Sequence, residues 1–322
     1  MQIAIIGAGL IGKKRALALP QEVRLTHICD VAQVRCDQFA TEFQCTAVYD
    51  WKEIIDNPAL EAVIIATPNK HLAEIGAAAI KAGKHVLIEK PGARNRQDLQ
   101  QLVDAYRKRN VVVMFGYNHR YHPAIQKAKE IVDSKEFGEV LFIRAKYGHG
   151  GRPGYEREWR FNEEISGGGQ LLDQGSHLID LTNHFAGELT YHSGTLETLF
   201  WDTPLEDSAF LVLKGQKTIA NLVTTCLEWK NIFCLEIMLK TGKLQIDGLG
   251  RSYGIEKLTV YKMLPQMGPP DIQEYVFEGE DTSWNRENEI FFKKIEEGRI
   301  DDTELMRAEY VLRIINDAYG HT

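Results

Sequence analysis

Gly7-Ala8-Gly9-Leu10-Ile11-Gly12 stands directly behind an apolar run at residues 3–6 and directly ahead of a helical stretch at 13–19. Few patterns restrict a fold so tightly. Gly7 permits a tight turn, Gly9 lets a pyrophosphate approach the backbone, and Gly12 lets the helix lie against the strand. The open amides at the helix start then face an anion. Gly7, Gly9, Leu10, Ile11 and Gly12 are therefore the first candidate cofactor contacts.

The rest of the first third repeats this unit. Apolar runs at 25–29, 62–66, 85–88 and 111–115 read as buried strands, and 34–43 and 72–82 as helices. Such alternation predicts a parallel, doubly wound sheet with helices on both faces and a ligand edge at the carboxyl ends of its strands. Beyond about residue 120 the pattern changes. A helix at 124–132, a half-exposed strand at 140–149 and a loop-like stretch at 150–169 lead to a helix at 171–185. Strand candidates follow at 196–201, 208–213, 218–228, 233–240, 243–246, 257–261 and 273–277, then a helix at 303–319. Successive strands predict a large, mainly antiparallel open sheet, one face on its own helices and the other free for a partner subunit. The expected fold class is α/β: a dinucleotide-binding domain at 1–120 and a substrate-binding and oligomerisation domain at 121–322. The final helix is in a position to return to the first domain.

Asp30 ends the second strand, where a carboxylate can accept hydrogen bonds from a ribose diol. It would repel a 2′-phosphate, and Val31 and Ala32 offer that phosphate no partner, so NAD is favoured over NADP; Arg35 stands close enough to weaken the preference. The net charge of −7, without a long basic stretch, argues against nucleic acid or a membrane surface as partner. No apolar run approaches the roughly 20 residues of a membrane span, and no secretory leader is evident. Five cysteines, an odd number without a CxxC pair, fit a reduced cytoplasmic protein without a structural metal.

Asp173 and His177 supply the chemistry. Four residues apart, just after Gly167-Gly168-Gly169, they share a helix face if the segment is helical. A carboxylate can orient an imidazole and support its protonated form, giving a general base near neutral pH. Lys90, in Glu89-Lys90-Pro91, ends a strand of the first domain and would point toward the cofactor. Ala66-Thr67-Pro68-Asn69 occupies the equivalent edge after the preceding strand.

Together these residues resemble the Gfo/Idh/MocA oxidoreductases, the family of glucose–fructose oxidoreductase and myo-inositol dehydrogenase. The resemblance runs through the glycine turn, Asp30, Thr67-Pro68-Asn69 with His71, Glu89-Lys90-Pro91, Gly116-Tyr117-Asn118-His119-Arg120, and Gly168-Gly169 through Asp173, Gly175 and His177. It implies an N-terminal Rossmann domain, a C-terminal domain with a large open sheet, and homodimers or homotetramers built through that sheet. It also implies that Thr67, Pro68, Asn69, His71, Glu89 and Lys90 meet the cofactor and that Lys90, Asp173 and His177 are catalytic. His177 would take a proton from a substrate hydroxyl while hydride leaves the same carbon. Lys90 would stabilise the developing alkoxide, and Asp173 would orient the imidazole or hold the hydroxyl. Gly92 departs from the larger residue that often follows this proline. Gly175 reads as a close approach to cofactor or substrate, and Asp180 as either a partner of the site or a solvent-facing residue.

The stretch from Gly150 to Arg160 is the least generic. Tyr155 or Trp159 could stack on a sugar ring, and Arg120, Arg152, Arg157 and Arg160 could pair with a phosphate or carboxylate. The plain alternative is a solvated loop in which Glu156, Glu158, Glu163 and Glu164 neutralise the arginines. Tyr117, Arg120, His149, Arg152, Tyr155 and Trp159 join Lys90, Asp173 and His177 as candidate substrate contacts. The expected activity is NAD-dependent hydride transfer at a hydroxyl or keto carbon of a sugar, polyol or nucleotide-sugar, with an anionic derivative one option. The alternatives are a reductase of a non-sugar substrate, a lyase or hydrolase that recycles its NAD, and a non-catalytic NAD(H) sensor.

Overall fold

A computed structural model describes residues 1–320. The chain forms two compact units. The first comprises Met1–Tyr117, Glu164–Gly167 and Trp284–Glu309; the second comprises Asn118–Glu163, Gly168–Ser283 and the chain from Tyr310 on. The first unit thus draws in two later segments that composition and periodicity did not mark.

In the first unit the strands are β1 (Gln2–Ile6), β2 (Arg24–Cys29), β3 (Thr46–Val48), β4 (Ala62–Ile65), β5 (His85–Glu89) and β6 (Val113–Gly116). Among the described residues they form one six-stranded sheet in the order β3-β2-β1-β4-β5-β6, parallel throughout. The inner strands carry unbroken apolar runs because both faces are covered; Ile3, Ile5, Val63, Ile64 and Leu87 are fully buried. Strand order reverses between β1 and β4, the switch point at which such sheets hold ligands. Several elements lie beyond the sequence expectation, the helix Ser283–Glu296 among them. β3 has only three residues, Trp51–Asp56 begins where Asp50 accepts from the Lys52 amide, and Arg96–Tyr106 begins where Asn95 accepts from the Asp98 amide.

In the second unit β7 (Val140–Gly148), β8 (Thr190–Glu197), β9 (Ser208–Lys214), β10 (Ile219–Thr225), β11 (Ile232–Leu239), β12 (Gly242–Asp247), β13 (Glu256–Lys262) and β14 (Asp271–Phe277) form an eight-stranded sheet. The order is β14-β13-β12-β11-β7-β10-β9-β8. Every pair is antiparallel except β7 with β10. The alternating burial of β11 reports a sheet with one covered face. Helices Pro123–Ser134 and Ser176–Ala186 pack on that face. On the other, Phe142 pairs with Ile219 across β7 and β10, and both are exposed, as is Phe210 on β9. The strand expected at 196–201 instead spans Thr190–Glu197. Asp207 takes the Leu199, Phe200 and Trp201 amides at 2.8–3.1 Å, which removes them from any ladder. Helix Thr303–Tyr319 belongs to the first unit up to Glu309 and to the second from Tyr310.

Candidate active site

The parallel sheet lines up four of the predicted residues on one edge. The carboxyl ends of β2, β1, β4 and β5 carry Asp30, the glycine turn, Thr67 and Lys90, in that spatial order. At the turn, Gly7 has φ +111° and donates its amide to Cys29 at 2.8 Å; a Cβ there would meet the Ala66 carbonyl oxygen at 2.4 Å. A Cβ on Gly12 would stand 1.9 Å from the Gly7 carbonyl oxygen. Gly9 is the opposite case, with nothing within 4 Å of an added Cβ. It caps helix Leu10–Leu17 without a side-chain bond, so the space above the helix amides is open. That open cradle fits a dinucleotide pyrophosphate. Leu10, Val31 and Val34 are largely exposed apolar side chains around it, while Ile11 is half-buried.

Asp30 is nearly buried and accepts from the Ala8 amide and the Ala32 amide, both at 2.8 Å. Arg35 forks onto the same carboxylate, Nη2 at 2.7 and 2.9 Å and Nε at 3.1 Å. Burial pushes the Asp30 pKa up, but the Arg35 bonds and the two amides together bring it below the usual value. Pro68 and Asn69 open helix Asn69–Lys81, and Asn69 donates to the Ser166 carbonyl at 2.9 Å. His71 on that helix is exposed. The Thr67 hydroxyl is buried without a hydrogen-bond partner among the described residues, a donor suited to a ligand oxygen.

Lys90 is half-buried at the end of β5, and its bond to Pro91 is cis. Gly92 has φ +88°, and a Cβ there would strike the Phe115 ring at 2.4 Å, so this turn takes glycine for steric reasons. Glu89, read from sequence as a cofactor contact, is turned inward. Its Oε1 lies 2.6 Å from Arg15 Nη2, which also lies 2.6 Å from Glu287 Oε2. Asn288 completes the cluster, accepting from Arg15 Nη1 and donating to the Arg15 and Ala18 carbonyls, each at 3.1 Å. Burial pushes the Glu287 carboxyl up to about 8 although Arg15 opposes it. This framework behind the lysine was not foreseen; Glu287 lies far along the chain and carries no local signal.

In the second unit, Asp173 lies in a five-residue π-helical turn, Leu171–Gly175, that runs into the α-helix Ser176–Ala186 carrying His177. The expected continuous helix is therefore widened just where the carboxylate sits, a feature common at functional sites. Glu206 holds the entry to the turn. It accepts from the Gly169 amide at 3.2 Å, the Leu171 amide at 3.0 Å and the Tyr319 hydroxyl at 2.8 Å. A Cβ on Gly169 would stand 2.2 Å from the Glu206 carbonyl oxygen, which accounts for the glycine at that position. Gly175 packs instead against Leu171 and Thr224, so its close approach is to its own unit.

His177 is 6% exposed and stacks on His119, centroids 3.7 Å apart and planes 15° apart. Tyr147 meets both imidazoles edge-on. His122 lies 3.1 Å from Glu256 and edge-on to His119. Asp180 is fully buried and holds Arg120 through Nε at 2.6 Å and Nη2 at 2.7 Å. That settles its orientation inward, and it commits Arg120, a predicted substrate contact, to an internal pair. Tyr117, at the end of the first unit, is 1% exposed.

The 150–160 stretch is a chain of alternating charges. Arg152 lies 2.5 Å from Glu158, Glu158 lies 3.3 Å from Arg160, and Arg160 Nε donates to Asp173 at 3.2 Å. Arg157 pairs with Glu156 at 3.4 Å. Trp159 carries the Arg160 guanidinium over its ring at 4.9 Å. His149 Nδ1 accepts from the Gly151 amide at 3.0 Å. Burial lowers its pKa, so the neutral ring carries its proton on Nε2 and donates to the Tyr155 hydroxyl at 3.1 Å. Gln170 Nε2 donates to the same hydroxyl at 3.5 Å. Tyr155 is buried, its ring edge-on to His149, Phe161 and Trp201, and burial pushes its pKa far up, so it remains a protonated donor.

A glycine cradle, a strand-end carboxylate and a lysine along one sheet edge define a dinucleotide-binding oxidoreductase scaffold. Residues 1–117 match the model of an oxidoreductase family with an NAD-binding Rossmann fold, and residues 125–245 match the GFO/IDH/MocA C-terminal domain. The chain belongs to the Gfo/Idh/MocA oxidoreductase family. It is 32% identical over 222 residues to levoglucosan dehydrogenase from Pseudarthrobacter phenanthrenivorans, covering 64% of this chain and 56% of that protein. It is 28% identical over 188 residues to the NADP(+) scyllo-inositol 2-dehydrogenase of Bacillus subtilis, covering 58% of this chain and 52% of that one. The chain thus spans a little over half the length of these curated relatives. A solved levoglucosan dehydrogenase in complex with NADH shares the fold, with TM-score 0.90 and 24% identity over 100% of this chain and 98% of that one. Among the described residues no helix is long and apolar enough to cross a membrane.

Proposed function

We propose that this chain is an NAD-dependent dehydrogenase that oxidises a secondary hydroxyl of an uncharged sugar or cyclic polyol. The observation that carries the reading is the sheet edge. Asp30 stands on one side of the phosphate cradle and Lys90 on the other, two strands away, so the ribose-binding carboxylate and the lysine mark opposite ends of a dinucleotide track. Bound NAD supplies the hydride acceptor. His177 takes the proton of the substrate hydroxyl, its ring held by the His119 stack. Lys90 stabilises the charge that grows on the alkoxide oxygen. Asp173, itself held by Arg160, accepts a hydrogen bond from the substrate and fixes its rotation. In reverse the same groups return the proton as a ketone is reduced.

The arginines support an uncharged substrate. Arg120, Arg152, Arg157 and Arg160 each have a carboxylate partner within 3.4 Å. No cluster of spare guanidinium groups is left in this stretch, among the described residues, to reward a phosphate or carboxylate. The exposed Phe142, Ile219 and Phe210 on the open sheet face support self-association through that face, and five free thiols suit the reducing cytoplasm.

The test is turnover by variants that still bind cofactor. Lys90→Ala and His177→Ala should each lower kcat by about a hundredfold or more while NADH affinity stays near wild type. Full turnover by either variant would remove that residue from the mechanism.

A further inference from the structure

The Asp30 carboxylate is already full. Two oxygens offer about four lone-pair positions, and these are taken by the Ala8 and Ala32 amides and by Arg35. A ribose diol can bind there only by displacing one of them. The amides are fixed by the backbone. Arg35 is not: its side chain is 54% exposed, against 6% for Asp30, and it reaches back from helix Gln33–Phe43. Arg35 is the solvent-facing half of the pair, so it is the partner that can swing away while water takes over its charge.

The displaced guanidinium remains tethered beside the same ribose. A 2′-phosphate in place of the 2′-hydroxyl would meet a planar fork of donors suited to it. The charge that would repel that phosphate is also countered, because Arg35 pairs with Asp30 on both oxygens. In sequence Asp30 favours NAD and the nearby Arg35 weakens that preference; the fork on both carboxylate oxygens gives the weakening its physical form.

Given that the Gly7–Gly12 turn holds a dinucleotide, we infer that Arg35 makes the site accept both cofactors: it yields Asp30 to the ribose diol of NAD(H) and pairs with the 2′-phosphate of NADP(H). Arg35 is then the residue that sets the ratio of the two affinities. Its place is at the ribose, and it takes no part in the hydride step itself.

Direct binding tests this without any substrate. NADH and NADPH fluorescence would be titrated against the full-length protein, wild type and Arg35→Ala, with melting temperature confirming that the variant folds. Wild type should bind the two within about tenfold of each other, and Arg35→Ala should weaken NADPH about tenfold or more while NADH moves less than about threefold or tightens. Adenosine 2′,5′-bisphosphate should compete with NADPH for wild type and lose that ability in the variant. Equal weakening of both cofactors would make Arg35 part of the framework and overturn the inference, as would no change in either. Wild type that binds NADH but rejects NADPH would overturn it too. Failure of wild type to bind either would instead sink the dinucleotide reading on which the inference stands.

Discussion

The two units present their candidate residues in different ways. The first unit's set is mostly backbone: a glycine turn, amide groups and side chains that immediately follow strand ends, ordered by the parallel sheet. The second unit's set is side chains drawn from distant stretches. His119 stacks on His177, Arg160 holds Asp173, Glu206 fixes the turn before Asp173, and His149 and Gln170 aim Tyr155. A backbone site tolerates almost no change at its tightest points. A side-chain site should lose function by degrees, one contact at a time.

Gly12→Ala should break the comparison most sharply. The added Cβ meets a carbonyl at 1.9 Å, so the turn itself must move. We expect NADH affinity to fall about a hundredfold or more, or the first unit to lose its fold, consistent with the large cost of backbone overpacking. Near-normal binding in this variant would show that the cradle is more plastic than its geometry implies.

His119→Ala comes next. Loss of the stack should lower kcat by about tenfold and shift the pH profile of kcat, because His177 loses a flat neighbour that fixes its ring. His119→Phe should restore most of the rate, since it keeps a planar partner. An unchanged pH profile in both variants would reduce His119 to packing.

Tyr155→Phe should be milder. The hydroxyl already accepts from His149 and Gln170, which turns its own proton toward a third partner. If that partner is a substrate oxygen, kcat/KM should fall on the order of tenfold, mostly through KM, with melting temperature little changed. A drop in stability with unaltered KM would assign the hydroxyl to the fold.

The smallest effect concerns the first unit's framework. Burial raises the Glu287 carboxyl from its usual 4.5 to about 8. Between those values the folded protein keeps a proton that the unfolded chain has released, so this group makes stability fall as pH rises across that window. Glu287→Gln should flatten that part of the melting-temperature profile while its amide oxygen still accepts from Arg15. An identical slope in wild type and variant would show that Glu287 is charged in the folded state.

The difference between the units also explains what could be read from sequence. The glycine turn, Asp30 and Lys90 were legible because each is local to a strand end, and the alternation of strands and helices gave the sheet. Short edge elements such as Thr46–Val48 escaped because three residues carry no periodicity. The parallel pairing of β7 with β10 and the loss of 198–201 to Asp207 depend on contacts that strand patterning does not record. In the second unit Asp173 and His177 stood out by spacing, but the π-helical turn, the His119 stack and Glu206 did not, since each depends on residues brought together only by folding. The arginines were visible while their partners were only guessed. Arg152 and Arg157 meet loop glutamates, whereas Arg120 and Arg160 meet Asp180 and Asp173.

The central claim is hydride transfer from an uncharged polyhydroxylated substrate, and NAD reduction across a matched panel tests it most directly. Levoglucosan, myo-inositol and D-glucose would be set against D-glucuronate, glucose 6-phosphate and a nucleotide-sugar, each with NAD and the full-length wild-type protein. The account predicts NADH formation with at least one neutral compound and a far lower kcat/KM for every anionic one. NADH formation confined to the anionic compounds, or absent throughout from a protein that binds NADH, would contradict it.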